Sequence, residues 1–122
     1  MVNQVILKAG IICQNCSEEQ TYESMHQMLK KTNQIADQLH KEKKKVLILT
    51  DFSQVRNADY GAKKASFEGL SDPRHDKVAI FGATPFMRLM GEAIIKAAGA
   101  SGKIKNFATQ EEALKWLKEK TD

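Results

Sequence analysis

Strand-like and helix-like stretches alternate along the whole chain, and that alternation limits the architecture more than any other feature of the sequence. The first strand pattern is QVILKAGII, Gln4 to Ile12, followed by a long stretch with apolar residues every three or four positions. VLILT, Val46 to Thr50, is short and apolar throughout, as suits a strand covered on both faces. KVAIF (Lys77 to Phe81) and KIKNF (Lys103 to Phe107) follow, each leading into another helical pattern. Parallel strands need long crossovers, and every crossover here reads as a helix. The pattern therefore predicts one α/β domain over residues 1–122: four successive β-α units on a mainly parallel four-stranded sheet.

The helix boundaries carry their own signals. Ser17-Glu18-Glu19-Gln20 reads as an S-x-x-Q capping box opening the first helix, which is expected to end near His40. Its inward stripe is read as Tyr22, Met25, Leu29, Thr32, Ala36 and Leu39, with Met28 exposed beside it. A second helix is expected from Ala58 to Leu70, weakened by Gly61 and Gly69. Thr84 and Pro85 suit the N-cap and first turn of the third helix, whose expected buried set is Phe86, Leu89, Met90, Ala93, Ile94 and Ala97. Thr109 to Glu112 forms a second capping-box pattern, and the last helix should pack Ala113, Leu114, Trp116 and Leu117.

Composition removes several function classes. Charged residues make up 28 % of the chain and no apolar run approaches the roughly 18 residues of a membrane span, so no integral membrane protein is expected. MVNQVILKAG lacks the long apolar region of a signal peptide, which points to the cytoplasm. Net charge is +4, and its densest run is KEKKK, Lys41 to Lys45. No aromatic residues interleave with those lysines, so they read as a solvated helix end rather than a nucleic-acid surface.

Both cysteines fall in IICQNCSEEQ, as Cys13 and Cys16, the spacing of a thiol redox pair. A reactive cysteine gains acidity at a helix cap, whereas Ser17 is the better cap here. Pro85 begins a helix, where a thioredoxin-like fold needs a proline-led strand. A zinc site needs about four ligands, and neither a second C-x-x-C nor a paired histidine motif is present. His26, His40 and His75 are scattered and read as ordinary surface or edge histidines. A redox protein using Cys13 and Cys16 is kept as the third reading, and no metal or cofactor is expected.

Ligands of open α/β sheets bind at the carboxyl ends of the strands. Here those ends are Cys13 to Ser17, Asp51 to Asp59, Gly82 to Thr84, and Asn106 to Thr109. Asp51, Ser53, Gly82 and Thr84 make a polar seat there, although Asp51 and Ser53 equally suit a simple turn and Thr84 a helix cap. G-A-T-P is not a phosphate-binding fingerprint. No histidine lies in these loops to activate a serine, so no catalytic set is expected.

VLILTDFSQVRNADYGA, KVAIFG and the ending KNFATQEEALKWL together resemble the STAS fold, and most closely its SpoIIAA-like branch, over Gln4 to Leu117. The resemblance implies a regulatory domain that binds a protein partner, released by phosphorylation of a serine at the start of the second helix. Asp51 matches the strand-end aspartate of that pattern and Asp59-Tyr60-Gly61 its switch region, with Tyr60 standing where the serine would be. A non-enzymatic domain without the phospho-serine switch is the expectation. It would dock a protein partner or small ligand over Asp51, Ser53, Asp59, Tyr60 and Lys63. The alternative is a small-molecule binder, for a lipid or an anion, in the cleft near Asp51, Gly82 and Thr84. The same branch is similar in outline to lipid-binding folds of the Sec14 type, in which Met25, Met28, Phe67, Phe86, Met87 and Met90 would line a pliable pocket. Pairing into a homodimer is compatible with all of these.

Overall fold

The structure is a computed structural model that describes residues 2–70 and 72–119. The order of elements is β1 (Gln4–Lys8), β2 (Ile11–Asn15), β3 (Glu19–Gln20), α1 (Tyr22–Lys41), β4 (Leu47–Asp51) and β5 (Asn57–Ala58). Then come α2 (Tyr60–Leu70), β6 (Lys77–Phe81), α3 (Pro85–Ala97), β7 (Ile104–Phe107) and α4 (Gln110–Lys118). Five strands form the main sheet in the order β1-β2-β4-β6-β7, and β3 and β5 form a separate parallel pair.

The α/β architecture is as expected, with one strand more. The run from Gln4 to Ile12 is not a single strand but enters a hairpin, β1 pairing antiparallel with β2. Ala9 (φ 51°) and Gly10 (φ 78°) make its two-residue turn, both with the left-handed backbone that such hairpins require. The strands after β1 pair in parallel, in a register that sets Asn15, Asp51 and Phe81 side by side.

Strand alternation divides the core into two layers. Ile12, Ile48, Val78 and Ile104 face α1 and α3, packing against Ala36, Leu39 and Ile95. Ile11, Leu49 and Ala79 face the other way, onto Ala113 and Leu117 of α4. A third cluster joins Cys16, Met25 and Met28 to Val55, Ala62 and Ala65, and so ties α2 to α1 instead of to the sheet. Glycine permits that close approach: a Cβ on Gly61 would stand 2.9 Å from Tyr22 Cβ, and one on Gly69 2.9 Å from Leu29 Cδ1.

Packing moves several expected boundaries and faces. The N-cap of α1 is Thr21, whose hydroxyl accepts from Ser24 N–H while Ser24 Oγ accepts from Thr21 N–H. Ser17 is buried instead, its N–H donating to Asn3 Oδ1 at 2.8 Å, with Gln20 Nε2 donating to the same oxygen at 2.9 Å. Met28 is buried and Tyr22 exposed, the reverse of the expected stripe, because α2 covers the Met28 side of α1. In α3 only Ile95 is fully buried, whereas Phe86 and Leu89 remain 69 % and 68 % exposed. The inward seam of that helix runs one residue later than the pattern suggested, through Met87 and Ile95. His75 is not a surface histidine: it is 5 % exposed, with Nε2 2.8 Å from Asn33 Oδ1.

Candidate functional site

Because α2 leans on α1 and α3 covers the β7 side of the sheet, a gap is left between α2 and α3. It forms a cleft of about 300 Å³, at the small end of the range for ligand pockets. Phe52 and Ile80 line its sheet side, and Met87, Met90, Gly91 and Ile94 its α3 wall. Ala62, Ser66 and Leu70 form the opposite wall.

The cleft has a polar end and an apolar end. Lys63 and Phe86 stand in the first turns of α2 and α3, beside Arg56 and Asn57 from the loop entering α2. Leu70, Ile94 and Ile95 stand in the last turns of the same two helices. α3 follows β6 directly and α2 follows the β5 segment that continues the loop leaving β4, and Lys63 and Phe86 from their first turns line one end of the same cleft. Among the described residues no aspartate or glutamate lines the cleft.

The residues expected to form a site occupy this same edge but do different work. Asp51 Oδ1 accepts from Ser53 N–H at 2.8 Å, which is the turn reading. Gly82 (φ 82°) passes so close to Ser53 that a Cβ there would stand 2.8 Å from its backbone nitrogen. Asp59 Oδ1 accepts from Ala62 N–H at 2.8 Å and so caps α2, as Thr84 caps α3 by accepting from Met87 N–H. Tyr60 is 82 % exposed. Of these residues only Lys63 lines the cleft, joined there by Met25, Phe86, Met87 and Met90 from the methionine-rich set. Met28 is closed into the core and Phe67 lies outside the cleft lining.

The thiols are separated by the sheet. Cys13 points to the α4 layer and Cys16 to the α1–α2 layer, where its thiol meets Met28 Sδ at 3.7 Å. Burial pushes the Cys16 thiol up to about 12, and the negative charge of Asp51 adds to the effect. Burial also raises Cys13, opposed by Lys8. Both are free thiols. Neither has the enhanced acidity of a nucleophile.

The fold is shared with known proteins. The model of the SpoIIAA-like family matches residues 11–118. The chain belongs to the SpoIIAA-like family. An uncharacterised Shewanella loihica protein with a SpoIIAA-like fold is similar, with a TM-score of 0.62 and 18 % identity over 95 % of this chain and 92 % of that one. The phosphorylated form of the Bacillus cell fate determinant SpoIIAA gives a TM-score of 0.63 at 13 % identity, covering 96 % of this chain and 100 % of that one. No curated protein matches the sequence significantly.

The sequence reading of this SpoIIAA-like domain missed Arg56 and Asn57, which stand at the cleft mouth. Its available signal was the small-residue face Ala62, Ala65, Ser66 and Gly69, which marks a helix pulled in against a neighbour. Among the described residues no helix is long and apolar enough to cross a membrane.

Proposed function

We propose that this SpoIIAA-like domain is a non-enzymatic cytoplasmic binding module whose binding element is the cleft between α2 and α3. The observation that carries this reading is an apolar cavity held open at the carboxyl edge of the sheet, where α/β folds place their ligands. Methionine side chains in its wall adapt to irregular ligand shapes. The phospho-serine switch plays no part, since Tyr60 occupies the start of α2. Native mass spectrometry of protein purified from cells should show a retained small molecule, diminished in Ser66→Phe, which fills the cleft from α2. A wild-type protein that retains nothing and takes up no neutral long-chain alcohol would sink the proposal.

A second reading has its own observation. Tyr60 in the first turn of α2 and Phe86 and Leu89 in the first two turns of α3 are large and exposed, side chains suited to a protein partner. Replacing Tyr60 and Lys63 with alanine would then weaken a purified complex while leaving the melting temperature nearly unchanged.

A further inference from the structure

We propose, building on the cleft reading, that its ligand is a single-chain amphiphile with an anionic headgroup, of the fatty-carboxylate class. It would lie along α2 and α3 with its charge against Arg56 and Lys63. The polarity of the cleft sets this orientation. Its cations stand at the N-terminal turns of the two helices, and Leu70, Ile94 and Ile95 stand at the far end.

Charge complementarity identifies the headgroup. Among the described residues two cations and no carboxylate line the cleft. Among the described residues neither the Arg56 nor the Lys63 side chain has a hydrogen bond or ion pair. The nearest acid in sequence, Asp59, has one carboxylate oxygen engaged by Ala62 N–H as the cap of α2. Gln20, the other long polar side chain in the lining, is held by Asn3 and Ser17. Two unengaged cations over an apolar trough fit a ligand with one charged end and one greasy end. The positive ends of two helix dipoles at the same mouth act in the same direction. A cavity of about 300 Å³ suits one chain of moderate length, not the paired chains of a membrane phospholipid.

Isothermal titration of the full chain with decanoate and with decanol, below their aggregation concentrations, separates headgroup from tail. Decanoate is expected to bind about tenfold or more tightly than decanol. Its affinity should exceed that of shorter carboxylates by about fourfold per methylene. The double variant Arg56→Gln/Lys63→Gln should bind decanoate only as well as decanol, with decanol affinity and melting temperature unchanged. If acid and alcohol bind wild type equally, or the variant keeps the preference for acid, the headgroup assignment is overturned and the apolar cleft stands. If neither ligand binds, the assignment falls together with the reading it rests on.

Discussion

Lys77 Nζ lies 4.7 Å from the centroid of the Trp116 ring and donates to the Trp116 carbonyl oxygen at 2.8 Å. A further bond at 3.1 Å reaches the Glu119 carbonyl. A lysine from the first residue of β6 thus joins Lys115 and Lys118 as a cation at the C-terminal end of α4, where the last carbonyls and the negative end of the helix dipole collect. Lys77 is buried, and its removal leaves the Trp116 carbonyl only the Glu119 N–H and takes the ammonium from the Glu119 carbonyl. Lys77→Ala is expected to cost about 3 kcal/mol in urea unfolding, with Lys77→Met costing less because its stem still packs. A Lys77→Met loss near zero beside a full Lys77→Ala loss would show that packing, not the ammonium, is what matters.

The two glycines that bring α2 against α1 should respond differently to the same substitution. A methyl at Gly61 meets Tyr22 Cβ at 2.9 Å and the Tyr22 backbone nitrogen at 3.3 Å, atoms that cannot move without shifting α1. At Gly69 the obstacle is the end of the Leu29 side chain, which can rotate away. Gly61→Ala is therefore expected to destabilise by about 1–3 kcal/mol despite the better helix propensity of alanine. Gly69→Ala should fall within about 1 kcal/mol of wild type. Thermal unfolding of the two single variants checks the order. Because α2 forms a wall of the cleft, Gly61→Ala should also weaken ligand binding.

The separation of the thiols can be read in solution. Cys16 is closed into the α1–α2 layer with its acidity suppressed to about 12, whereas Cys13 is half-buried beside Lys8. An aromatic disulfide reagent near neutral pH should titrate Cys13 slowly and Cys16 only after denaturant is added. Rapid modification of both thiols, or a native disulfide between them, would restore the redox reading.

Caps and strand composition made much of the architecture readable from the sequence. Thr84-Pro85 and Thr109 each sit where their local chemistry places them, and KVAIF coincides with β6. What stayed hidden depended on neighbours. Lys8-Ala9-Gly10-Ile11 lacks the Asn-Gly or Asp-Gly signal of a tight turn, so two strands read as one. Ser17 and Thr21 are both good caps in isolation, and Asn3 decides between them by taking Ser17 into its buried network. The phase of α3 was misread because its apolar residues nearly encircle the helix, so periodicity alone does not say which of them face the sheet. The cleft was least legible of all. It is a space set by how far two glycines let α2 lean away from α3, and no short motif encodes a space.

Acid should unfold the domain in two separable steps. His75 is buried against Asn33, and its affinity for a proton is lowered, chiefly by burial. Lys103 and Arg74 reinforce that lowering, while Asp72 and Asp76 oppose it. The folded state thus prefers neutral histidine, and the unfolded chain takes up the proton first as pH falls through the ordinary value of 6.5. Stability should decline from there until pH passes the lowered value of His75 itself. Asp72 acts further down: the Arg74 side chain holds its carboxyl at about 2, so its contribution is present above 3.8 and is lost as pH falls from 3.8 to 2. His75→Gln should flatten the melting-temperature profile just below pH 6.5 while leaving the step between 3.8 and 2 in place. Asp72→Asn should do the converse. If the His75→Gln profile keeps the wild-type slope in the upper window, protonation of that imidazole is not what loosens the fold.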